Sequence, residues 1–176
     1  MVWIRIALVT LLLLCATACS SSSEYAVEFS ESFLTEAELG QIEGGCTGTG
    51  TPPCIAGAFT AAGEAIDEGV VCSAGNVRWM GNETPDGDPL SDDRIAAQVD
   101  AGEIFPIVVV NDYECADGSG IMGMKKTINF DPATMEMDSG TWSIDSGTGS
   151  AANLTGSGDF VAAEGVDTMT GSVKSG

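Results

Sequence analysis

From Tyr25 onwards the chain is divided into short segments in which apolar and polar residues alternate. "YAVEF" (25–29) has the period of two expected of a strand with one buried face. "TEAELGQI" (35–42) departs from it: Thr35 stands three residues before Glu38, the spacing of a capping box, which predicts a brief helix ended at Gly44-Gly45. Beyond the loop "CTGTGTPPC", "AFTAAGEAID" (58–67) alternates loosely and "NVRWM" (76–80) reads as another short strand. "GNETPDGDPLSDD" (81–93) is rich in turn formers and predicts an exposed loop. Ser91 is placed to cap a helix beginning "DDRIAAQV", with two acids near its positive end and Gly102 beyond its last turn. "EIFPIVVVNDYEC" (103–115) is the strongest strand, apolar and β-branched, with Pro106 near its start.

"GIMGMKKTINF", "ATMEMDSGTWSI", "AANLTGSGDFVAA" and "DTMTGSV" follow, separated by "DGSG", "NFDP", "DSGTG" and "AEGVD". Serial short strands with such punctuation predict an all-β chain, a small antiparallel β-barrel of about eight strands with one or two short helices. No repeat or second domain interrupts it. The expected organisation is a leader over 1–18, a serine tether over 19–24, an N-terminal extension with a small disulfide loop over 25–54, and the barrel over 55–176.

The glycines of "GTWSIDSGTGSAANLTGSGDF" (140–160) invite a nucleotide-loop reading. Such a loop must join a strand to a helix, so that free N–H groups and the helix dipole meet the phosphates. Here Gly156 and Gly158 break any helix, and "GSGIMG" (118–123) runs on into the strand-like "MKKTINF". The glycines read instead as shaping a sheet. Trp142 and Ile144 share one face, Gly147 and Gly149 supply a turn, and Leu154 returns as the next core anchor. Gly156 and Gly158 then share a face, where missing side chains permit a sharply coiled strand or close packing of a neighbour.

These residues carry a resemblance. The alternating Trp142 and Ile144, Gly147-Thr148-Gly149, the pair Ala151 and Leu154, then Gly156 and Gly158 with "MTGSV" after them resemble the closing strands of allene oxide cyclase-like and dirigent-like β-barrels. "CADGSG" (115–120) and "DEGVVCSAG" (67–75) are similar to segments of secreted bacterial relatives of that barrel. The resemblance spans about residues 55 to 174. It implies a barrel fold and, by analogy, an isomerase- or cyclase-like activity on an oxidised lipid.

The N-terminus adds an address. Arg5 is followed by "IALVTLLLL" (6–14), which at about 1.5 Å per residue is too short to cross a hydrocarbon core of about 30 Å and reads as the apolar centre of a signal peptide. "ATAC" ends at Cys19 behind small residues and resembles a lipoprotein processing site, which makes Cys19 the expected lipidation site and "SSSS" a tether. By resemblance to enterobacterial lipoprotein sorting, Ser20 after the cysteine implies the outer membrane rather than retention at the inner one, with the protein facing the periplasm or the surface. An ordinary secretory signal cut after Ala18 is the alternative, giving a secreted protein.

Charge excludes one class of partner. Arg5 leaves with the leader, so five cations face 26 acids and the net charge becomes −21. Such a surface repels nucleic acid. Four cysteines remain beyond Cys19, and with no histidine and no C-x-x-C spacing they read as disulfides rather than metal ligands. Of the three pairings, Cys46–Cys54 closes a small loop and leaves Cys72–Cys115 to join two strand-rich segments.

The absence of histidine removes Ser-His-Asp and Cys-His catalysis and most catalytic zinc sites. Glu64, Glu103 and Glu114 are acids that could flank a pocket, but an acid-rich chain makes close pairs by chance. In "DGDPLSDD", Asp86, Asp88, Asp92 and Asp93 form the one conceivable calcium loop, and Leu90 and Ser91 break the EF-hand pattern there. Met122, Met124, Met135, Met137 and Met169 read as core filling, or as an adaptable lining for an apolar ligand. The expectation is a lipid-anchored, non-catalytic barrel without a cofactor, binding a small apolar ligand or serving a structural role. The alternatives are the cyclase-like enzyme and an acidic surface that binds cationic partners or calcium.

Overall fold

The computed structural model describes residues 22–48, 51–134, 137 and 139–176. The leader, Cys19 and Met135 lie outside the described residues. Eight antiparallel strands close into one barrel in chain order, each hydrogen-bonded to its sequence neighbours and the last to the first. They are β1 (Ser23–Phe33), β2 (Cys54–Ala62), β3 (Ala74–Glu83), β4 (Phe105–Cys115), β5 (Gly120–Phe130), β6 (Ser139–Gly149), β7 (Leu154–Ala163) and β8 (Val166–Ser175). Among the described residues three short helices, against the one or two expected, sit in the connections: α1 (Glu36–Leu39), α2 (Glu64–Asp67) and α3 (Asp92–Ala101). Both helices expected from capping signals form. Thr35 and Glu38 make the reciprocal capping box of α1; α3 starts at Ser91, whose side chain makes no capping hydrogen bond, and ends at Gly102 in the left-handed conformation.

The barrel begins earlier than the sequence suggests. Residues 25–54 are no extension: β1 pairs with β8 from Ser23↔Ser175 to Ser32↔Val166, and on its other edge with β2. Without β1 the sheet would leave two open edges, so the chain's first strand is the one that closes it. The alternating stretch at 58–67 is also divided. β2 ends at Ala62, the chain turns at Gly63, and α2 follows, burying Ala65 in the main core.

Period two sorts the residues to two faces. On β1, Val27, Phe29 and Glu31 are buried and Glu24, Ala26 and Glu28 are exposed. On β8, Asp167, Met169 and Val173 are buried while Thr168, Thr170 and Lys174 are exposed. The outer faces of these strands are therefore polar, the reverse of a barrel whose outside meets lipid.

Half of the interior is solid. Phe29 packs edge-on to Phe59, Tyr113 and Trp142 with ring centroids 6.3, 6.1 and 5.6 Å away. Met122, Met124 and Met169 fill the gaps between these rings and are fully buried. α2 and the loop after it cover this end through Ala65 and Val71. The other end, where β1, β3, β5 and β7 finish, carries the long connections and α3. There Leu90, Phe105, Ile107 and Phe130 make a second, smaller cluster with Ile95 and Val99 of α3 packed against it.

The two disulfides are Cys46–Cys54 and Cys72–Cys115. The first pins the β1–β2 connection to the start of β2, and the second ties the loop after α2 to the end of β4. One bridge therefore stands at each end of the barrel.

Candidate functional site

The glycine-rich segment belongs to the closed half. Trp142, Ile144 and Leu154 are buried in its core, and β6, β7 and β8 pair through them: Trp142↔Gly158, Ile144↔Gly156, then Gly158↔Gly171. The indole of Trp142 lies over the inner faces of β7 and β8, where a Cβ on Gly171 would come within 2.8 Å of its ring. Its Nε1 donates to the Thr170 carbonyl at 3.2 Å. Gly158 is bare for a related reason, since a side chain there would meet the backbone of Thr170 and Gly171. The expected turn is displaced. β6 continues through Gly149, so Gly147 is a strand residue paired with Met122, its bare inner side accommodating the backbone of Ala151. The turn is residues 150–153, entered through Gly149 at φ 59°.

The open half holds a cavity of about 550 Å³, within the range of small-molecule sites. Val109, Ile128, Phe160 and Ala162 wall it, Trp79 and Ala56 close it on the β2–β3 side, and Phe33, Met137 and Val166 form an apolar, solvent-exposed rim. At its base is a charged group. Lys126 Nζ donates to Glu31 Oε2 at 2.7 Å and to Asp167 Oδ2 at 2.6 Å. The Tyr113 hydroxyl donates to the same Glu31 Oε2 at 2.5 Å. Glu31, Lys126 and Asp167 are 1%, 2% and 6% exposed, so these charges are held out of bulk water.

The network is unevenly satisfied. Glu31 Oε2 receives two donors, while Glu31 Oε1 is buried with no hydrogen-bond partner among the described residues. An unpartnered carboxylate oxygen inside a protein costs several kcal/mol of lost solvation, on the order of 1–3 for a neutral group and more for a charged one. Strand geometry explains how the group assembles. Glu31, Lys126 and Asp167 occupy inward positions of β1, β5 and β8, in rows otherwise filled by Phe29, Met124, Ile128 and Met169.

Burial alone disfavours the Lys126 ammonium, but the carboxylates of Glu31 and Asp167 outweigh it and hold its pKa above the ordinary lysine value. Burial first, and the neighbouring Glu31 charge second, push the Tyr113 hydroxyl well above the usual tyrosine value. Both groups therefore keep their protons at neutral pH. The rings of Phe33 and Phe160 flank the ammonium at 5.4 and 5.8 Å from their centroids.

Other residues singled out in the sequence lie elsewhere. Glu114 is on the outer face, paired with Arg78 at 2.6 Å, and neither Glu64 on α2 nor Glu103 beyond α3 lines the cavity. Asp86, Asp88, Asp92 and Asp93 are exposed, and among the described residues no three acids or cysteines converge as metal ligands. Of the methionines, Met137 alone lines the cavity among the described residues. Glu31, Lys126 and Asp167 escaped sequence reasoning, although each is a charge on the apolar phase of its strand. No protein-family model, curated protein or solved structure matches the chain.

Proposed function

We propose that the barrel is a binding module holding one small, largely apolar ligand in the open half, with the ligand's polar end at Glu31. The observation that carries this reading is the unpartnered Glu31 Oε1 at the base of an apolar-walled cavity. A barrel of eight strands has room for either packed side chains or one small ligand, and this one divides its length between the two. An anchor at Cys19 on the outer membrane completes the proposal. β1 enters the barrel at Ser23, the end opposite Phe33 and the mouth, which supports an orientation with the opening away from the membrane. Disulfides suit such an oxidising compartment.

Uptake of a neutral apolar fluorophore, N-phenyl-1-naphthylamine, by the purified domain tests the reading, with native mass spectrometry for a co-purified ligand. One equivalent should bind, and Ala162→Trp, which fills the cavity, should abolish uptake without unfolding the barrel. A wild-type protein that takes up no probe defeats the proposal.

A second reading, proton transfer on the bound molecule, is favoured by the same carboxylate. Glu31 Oε1 carries no donor, which suits a base, and Lys126 on the neighbouring Oε2 would stabilise the charge that develops. An enzyme of this kind would exchange ligand protons with D2O in the wild type and not in Glu31→Gln. A ligand recovered undeuterated from the wild type excludes it.

A further inference from the structure

We infer that the cavity selects an organic ammonium: a small apolar body carrying a protonated primary amine, held by Glu31 Oε1. This rests on the ligand-binding reading above and names the class of ligand.

Three observations converge on it. The first is the count of charges. Glu31 and Asp167 oppose a single ammonium, Lys126, and no other cation among the described residues lines the cavity, whereas Glu164 adds a further acid at its rim. The buried group therefore sets two carboxyl groups against one ammonium, and a ligand's cation would restore the balance at short range in a weakly screening environment. The second is the vacant acceptor. Lys126 and Tyr113 both donate to Glu31 Oε2, leaving Oε1 of this cavity-lining residue without a donor. A carboxylate ligand would instead place two acceptors against each other. The third is the field of the whole chain, whose net charge of −20 draws cations towards the mouth and repels anionic lipids.

A primary amine meets these conditions better than an alcohol. Both donate a hydrogen bond, but only the ammonium also compensates charge, and a charge-assisted bond is about twice as strong as a neutral one. The apolar wall of Val109, Ile128, Phe160 and Ala162 then accommodates the ligand's body, and Phe33 and Met137 its far end.

The test compares three ligands of one chain length, decylamine, decanol and decanoate, on the wild-type domain at pH 7 and below their micellar concentrations. Trp79 lines the cavity, so its fluorescence reports occupancy, and calorimetry gives the stoichiometry. Decylamine should bind about tenfold or more tightly than decanol, the ratio expected for a hydrogen bond to a charged group, and decanoate should bind weakest. Glu31→Gln should bring decylamine down to the affinity of decanol and leave decanol nearly unchanged. Decanol or decanoate binding as well as decylamine overturns the inference while leaving the cavity a ligand site. If none of the three binds, the ligand-binding reading falls with it. The ranking is read on the wild type, so it stands even if Glu31→Gln fails to fold.

Discussion

The Tyr113 hydroxyl on β4 donates to Glu31 Oε2 on β1 at 2.5 Å, joining two strands that are not neighbours in the sheet. The bond spans the barrel where its packed half meets its open half. With Lys126 on the same oxygen, it makes the inner end of the cavity a polar floor on an apolar core.

That floor has a pH signature. Tyr113 and Lys126 both have folded pKa values above their ordinary ones, so the folded state holds protons that the unfolded chain releases from about pH 10 upward. Their contribution to stability is complete below that pH and is lost as pH rises towards the folded values. The melting temperature of the wild type should fall steeply above about pH 10. Tyr113→Phe should fall less steeply there, though from a lower starting value because Glu31 Oε2 loses a donor. Thermal melts between pH 7 and 11.5 measure both slopes.

Removing Lys126 should be far worse than removing the whole charged group. Lys126→Met strands two buried carboxylates and should cost about 3–5 kcal/mol. The triple variant Lys126→Met, Glu31→Gln, Asp167→Asn leaves no buried charge and should lose less than the single change. Urea unfolding of the two proteins compares them, and a triple variant weaker than Lys126→Met would contradict the assignment of charge as the cause.

The Trp142 seat admits a packing test. Gly171→Ala puts a methyl group against the Ser157 carbonyl, its closest contact, and 2.8 Å from both the indole and the Gly158 backbone. It should destabilise the barrel by about 1–3 kcal/mol, as overpacking does. Ser157→Ala, on the exposed face of the neighbouring strand, should change stability by less than about 0.5 kcal/mol. Denaturant midpoints distinguish them.

The two disulfides should contribute unequally. Cys72–Cys115 closes a separation of 43 residues and Cys46–Cys54 one of 8. Chain entropy assigns them about 4 and about 2.5 kcal/mol. Replacing the first pair by serine should therefore lower the melting temperature more than replacing the second, as scanning calorimetry of the two double variants would register.

Alternation along the chain was enough to determine the all-β class, the number of strands, the short capped helices and the inward setting of Trp142, Ile144 and Leu154. Each of these depends on residues close together in sequence, where period and capping act directly. Closure of the barrel, the placing of Gly147 within a strand and the charged floor were decided by the tertiary structure. β1 and β8 lie at opposite ends of the chain, and no local pattern states that Ser23 meets Ser175. Lys125 and Lys126 are adjacent and chemically alike. Yet Lys125 faces out to Glu83, and Lys126 faces in to Glu31 and Asp167. A charge on an apolar row is a mark that sequence carries. Its partners are set by which strands the sheet brings face to face across the interior, and that depends on the closed barrel as a whole.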